Sequence, residues 1–197
     1  MVVPVANRAW RITSARGFSL MEILVVVGIA GVLAAVAMPV SNQFIKWASA
    51  DSSAEFTIRA INVARDRAIA ERRNIELTFI TPNRLRLERQ EVDETGTTTG
   101  KTILTEVMLE NGQQFVKFTG VPDTPDAFGA ATAITFGGTA PIMFTSDGSL
   151  IDSAGDVVNG SVFVGLPNQP MTARAVTIFG VSGLTTAWKW RGDKWLR

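Results

Sequence analysis

The sequence predicts an α+β fold: a long N-terminal transmembrane/amphipathic α-helix packed on an antiparallel β-sheet body. Three observations carry that expectation. Residues 23–40 form a run of 18 without a charge, about the length that crosses a hydrocarbon core roughly 30 Å thick. From Phe44 to Ala68 apolar residues recur at helical spacing. From Ile75 onward they alternate, in short runs separated by Gly, Pro, Asn and Asp.

Residues 1–17 carry Arg8, Arg11 and Arg16 and no acid. Cations on the N-terminal flank of an apolar run predict a cytoplasmic N-terminus and an exported C-terminal body. Ala34-Ala35-Val36-Ala37 also fits the small-residue cleavage pattern of a secretory signal. Against that reading, the run is longer than a usual signal core, Glu22 stands at its entrance, and the apolar pattern passes into an amphipathic helix without a break.

Glu22 requires an explanation, because a carboxylate near hydrocarbon costs a few kcal/mol unless it is paired or interfacial. One explanation is local. Ser19-Leu20-Met21-Glu22 fits the capping box S-x-x-E, with Phe18 and Ile23 as a hydrophobic staple. Gly28 and Gly31 lie within the apolar run, where small residues let helices approach closely and where membrane helices also simply tolerate glycine. Pro39 removes one helical hydrogen bond, so a kink is expected there.

The helix is expected to continue to about Arg73. Phe44, Trp47, Ala48, Ala54, Ile58, Ile61, Ala64 and Ala68 hold one face, while Lys46, Asp51, Glu55, Arg59, Arg65, Asp66 and Arg67 fall mostly elsewhere. Ile75, Leu77 and Phe79, then Leu85 and Leu87, read as a hairpin across Thr81-Pro82-Asn83. Further strands are expected at 102–109, 114–118, 133–136, 142–145, 161–166, 173–179 and 184–191. Residues 94–100 and 121–131 read as exposed, mobile loops. The organisation is thus 1–17, 18–40 as membrane helix, 41–73 as its amphipathic half, and 74–197 as β body.

Composition closes off much chemistry. The 197 residues contain no His and no Cys, which removes the usual base near pH 7, a thiol nucleophile and the common zinc ligands. Net charge is +1 and names no partner. Asp147, Asp152 and Asp156 lack the regular ligand spacing of a calcium loop and read as turn acids. Trp188, Lys189, Trp190, Arg191, Lys194, Trp195 and Arg197 interleave rings with cations, a pattern used on nucleic acid. In a strand, Trp188 and Trp190 would instead point inward and leave Lys189 and Arg191 solvated.

The string Arg16-Gly17-Phe18-Ser19-Leu20-Met21-Glu22-Ile23-Leu24-Val25-Val26-Val27 resembles the class III signal of type IV prepilins and pseudopilins. Phe144-Thr145-Ser146-Asp147-Gly148-Ser149 and the later 175–183 resemble the C-terminal pattern of the GspH/FimT pseudopilin family. The resemblance implies cleavage by a prepilin peptidase between Gly17 and Phe18, N-methylation of Phe18, and pairing of Glu22 with a neighbouring subunit's terminal amine. It implies a structural minor pseudopilin or minor pilin, and since the residues offer no convergent nucleophile, base or metal set, no enzymatic activity, cofactor or metal is expected. The subunit would be held in the inner membrane by a single pass with its body in the periplasm, and would join other pilin subunits and an assembly platform in a type II secretion pseudopilus or type IV pilus.

Some members of that family take up DNA through a basic motif similar to G-R-x-R, where this chain has Gly183-Leu184-Thr185-Thr186. Lys189 and Arg191 remain the candidate DNA contacts. Loss of the three leader arginines with no acid would leave the remaining chain at net −2, which does not favour broad nucleic-acid binding.

Overall fold

The computed structural model describes residues 17–197 and, within them, all side chains except those of residues 36–41. Arg8, Arg11 and Arg16 therefore lie outside the described residues. So does the side chain of Pro39, and with it the expected kink. The chain divides into two compact units, Met1–Asn42 and Gln43–Arg197.

Helix α1 is assigned over Leu20–Glu71. In the first unit it starts where Ser19 accepts the Glu22 N–H at 3.2 Å, the side-chain cap that supplies a partner to a free helix N–H. From Leu20 to Ala35 every described residue is exposed. Among the described residues no helix is long and apolar enough to cross a membrane. The fully described part of the uncharged run ends at residue 35.

In the second unit α1 ends in a Schellman arrangement. Arg72 takes a left-handed φ of 50° and the Arg73 N–H returns to the Ala68 carbonyl at 3.3 Å, which satisfies a terminal carbonyl of the last turn. The buried face consists of Ala50, Ser53, Ala54, Thr57, Ala60, Ile61, Ala64 and Ala68. Helical spacing is therefore followed in burial from Ala50 onward. Phe44 and Trp47, expected on that face, are exposed.

Two antiparallel sheets meet this face. The first has the order β3-β2-β1-β6-β7, with β1 Ile75–Ile80, β2 Arg84–Val92, β3 Thr98–Met108, β6 Ile142–Phe144 and β7 Leu150–Ile151. The second runs β11-β10-β9-β8-β4, with β5 also on β8. Its strands are β4 Gln114–Phe115, β5 Ile134–Phe136, β8 Gly160–Gly165, β9 Arg174–Phe179, β10 Leu184–Trp190 and β11 Trp195–Leu196. The β1–β2 hairpin has the predicted Thr81-Pro82-Asn83 connection, with Ile80 opposite Arg84.

Strand alternation splits the interior in two. Val162, Val164, Val176 and Ile178 join the alanine face of α1 and Ile75, Leu85, Leu87, Phe144 and Leu150 of the first sheet. Phe163, Ala175, Trp188 and Trp190 point to the other side of the second sheet, where Phe118, Val121 and Trp195 cover them.

One loop expectation is corrected, and another, 94–100, is exposed as expected but shorter. Residues 121–131 are a cover, not a mobile loop: Val121 and Thr124 are buried, and Trp195 donates its indole N–H to the Pro122 carbonyl at 3.1 Å. Within 94–100 the chain turns early. Asp93 accepts the N–H groups of Thr95 and Thr97, both at 2.9 Å, so β3 already starts at Thr98.

Candidate functional site

Gly17 and Phe18 precede α1, and Phe18 is 76% exposed. Glu22, on the first turn, lines a shallow concavity of about 230 Å³ with Phe18, Ile23, Val26 and Val27. The structure thus brings Phe18 and Glu22 together. Leu24, Val27, Ile29, Val32 and Leu33 are each more than half exposed. A helix apolar on all faces is one built for a lipid or protein interior. A side chain at Gly28 or Gly31 would meet nothing within 4 Å, so neither glycine is required by contacts within the described chain.

In the body, the turn signal Asp147-Gly148 proves to be half of a clasp on α1. Asp147 accepts hydrogen bonds from the Thr145 hydroxyl and from Ser149, N–H at 3.1 Å and hydroxyl at 2.8 Å. These bonds, the Thr145 one foremost, hold its carboxyl down at about 2. Gly148 has φ +84° and its carbonyl accepts the Arg65 Nε–H at 3.3 Å. Gly183, φ +65°, comes from the β9–β10 turn. A Cβ there would stand 2.5 Å from Arg65 Cδ and 2.6 Å from the Gly148 oxygen. Glycine at 148 and 183 is what lets both turns close on Arg65.

Asp152 accepts N–H groups of Ala154 at 2.9 Å, Asp156 at 3.1 Å and Thr139 at 3.1 Å. Its oxygens are oriented toward donors of its own loops. Asp147 and Asp152 are thus turn-forming acids. Among the described residues no cluster of three acids could hold a metal ion.

At the C-terminal stretch Trp188 and Trp190 are buried, as the strand alternation predicts. Lys189 is not free. Its ammonium reaches Asp51 of α1 at 2.7 Å, and Asp51 also takes the Arg174 Nε–H at 2.5 Å. Arg191 is exposed. Burial opposes ionisation of Asp51, but the hydrogen bonds from Arg174 and Lys189 outweigh it and keep its carboxyl below the usual value. Arg174 and Lys189 face each other across β9 and β10. Two like charges in register repel, and Asp51 relieves that repulsion. Sequence reading missed this pair because Asp51 falls off the apolar face of the helix. Two cations twelve or more residues apart carry no local signal of being opposite. Asp126, also missed, accepts the Trp188 indole N–H at 2.9 Å and the Thr177 hydroxyl at 2.5 Å.

No family model matches the chain, and no curated protein matches it. Among solved structures it is similar to the minor pseudopilin EpsH from the type 2 secretion system of Vibrio cholerae. That match has 15% identity and a TM-score of 0.46, and covers 72% of this chain and 97% of the other. It is also similar to the type IV minor pilin FimU of Pseudomonas aeruginosa, at 14% identity and a TM-score of 0.45, over 75% of this chain and 92% of the other. At these values the likeness does not by itself assign a function.

Proposed function

We propose that the chain is a non-enzymatic pilin-like filament subunit, a minor pseudopilin or minor pilin, cut by a prepilin peptidase between Gly17 and Phe18 and methylated at Phe18. The observation that carries this reading is the placement of Glu22. It stands on the first turn of a helix whose next residues, 23–35, are uncharged and apolar on every face, beside the residue that would become the new N-terminus. In an apolar surrounding a carboxylate is retained only with a cation, and an ammonium gains far more there than in water. Glu22 has no ion pair among the described residues, so the terminal amine of a neighbouring subunit is its natural partner.

On this reading residues 18–40 form the membrane and filament-core segment, the body lies in the periplasm, and the partners are other pilin subunits and an inner-membrane assembly platform of a secretion or pilus machine. The test is Glu22→Ala in cells that assemble the filament. The expected result is normal removal of the leader with loss of incorporation, read by co-isolation with sheared filaments. Incorporation equal to that of the unaltered chain would overturn the reading.

A further inference from the structure

One end of the body collects cations and apolar side chains from separate segments. Lys46 and Trp47 of α1 line a cavity of about 240 Å³ with Pro170 and Met171. Arg174 donates to the Met171 carbonyl at 3.4 Å and to Asp51, which also holds Lys189. The β10–β11 turn is closed by the Arg191 N–H on the Lys194 carbonyl at 3.0 Å. A Cβ at Gly192 would meet the Met171 sulfur at 3.4 Å, which places that turn against Met171.

These contacts gather Lys46, Arg174, Lys189, Arg191 and Lys194 against two acids, Asp51 and Asp193. The local surplus is positive, whereas the chain after Gly17 is net −2. Trp47, Met171 and Leu196 share the surface, exposed by 37%, 46% and 39%. The surplus is also unmet inside. Asp51 gives one oxygen to Arg174 Nε and the other to Lys189, and the buried Arg174 Nη2 has no partner.

The geometry points to this end of the body as a docking surface for an anionic phospholipid membrane. Lys46, Arg191 and Lys194 meet headgroup phosphates, while Trp47, Met171 and Leu196 enter the interfacial layer. The inference rests on the reading that residues 23–40 lie in a membrane. Lys46 follows Val40 by six residues, a span of at most about 20 Å even when fully extended, so the basic end is tethered beside the headgroups. A nucleic-acid strand offers the same phosphates, but successive bases need several exposed rings to stack on, and of the tryptophans at this end Trp47 is exposed while Trp188, Trp190 and Trp195 are buried. Docking would hold the body down on the membrane until assembly lifts it away.

The chain has no Cys, so one nitroxide label can be placed by Met171→Cys. Val181→Cys, 76% exposed in the β9–β10 turn, serves as control. That turn sits by Arg65, roughly 20 Å along α1 from Asp51. The full chain is placed in nanodiscs of phosphatidylcholine alone or mixed with phosphatidylglycerol, and collision with a water-soluble nickel chelate is measured.

The expected result is a fall of at least about threefold in accessibility at position 171 on the anionic lipid, none at 181, and reversal by added salt. Replacing Lys46, Arg191 and Lys194 by Ser removes the difference, each cation accounting for about fivefold in surface association. The salt titration needs no charge variant and reads the same surface. Equal accessibility on both lipids overturns the inference, as does protection of position 171 by single-stranded DNA but not by anionic lipid. A chain that is not retained in the disc sinks the membrane reading as well. Retention with equal accessibility sinks the docking surface alone.

Discussion

Between residues 20 and 35, α1 presents Leu, Val and Ile on every face and buries none of them. Between residues 50 and 68 it buries a face made mostly of alanine. The difference lies in what each stretch meets. Alanine lets the two sheets approach the helix backbone closely, and its burial sacrifices little side-chain freedom. Bulky β-branched residues on an unpacked surface do nothing for an isolated chain, and their placement is explained only by a lipid or protein neighbour.

Crowding the packed stretch should have the largest effect. Ala64 is fully buried, and Ala64→Leu should cost about 3 kcal/mol of body stability in denaturant titration, because the facing core has no space for the added methyl groups. Asp51→Ala comes next, at about 2 kcal/mol. It leaves Arg174 buried without its acid, a loss moderated by the partial exposure of Asp51 itself.

The sign of the pH effect follows from the lowered carboxyl of Asp51. Its contribution should be fully present above the unfolded value near 3.8 and disappear as pH falls through the lower folded value. The unaltered chain and Asp51→Asn should therefore converge in stability only at acid pH. Gly183→Ala should cost between about 1 and 2 kcal/mol, since its left-handed backbone and its contact with Arg65 both disfavour a Cβ. Leu24→Ala, at a residue 68% exposed, should leave the melting of the body unchanged within about 0.5 kcal/mol. A larger change would mean that the first stretch of α1 has partners in the isolated chain.

What the sequence made legible follows from range. The capping serine, the helix end near Arg73, the Thr81-Pro82-Asn83 hairpin and the inward Trp188 and Trp190 all depend on neighbours within a few residues. Of the three two-residue strands, β4 falls inside the expected 114–118, whereas β7 and β11 are too short for alternation to mark. The cover formed by 121–131 is set by distant contacts of Asp126 and Pro122, and polar, Pro-rich chain reads locally as a loop. In the candidate site, the nearness of Phe18 and Glu22 was legible because they are four residues apart in the chain. The Asp51 bridge was not, because it joins residues more than a hundred positions apart.

The most direct test of the account is the mass of the chain's N-terminus after expression in cells that contain a prepilin peptidase. The expected chain begins at a methylated Phe18. A chain beginning near Met38, as a secretory signal would leave it, or one that retains residues 1–17 in the presence of active peptidase, would contradict it.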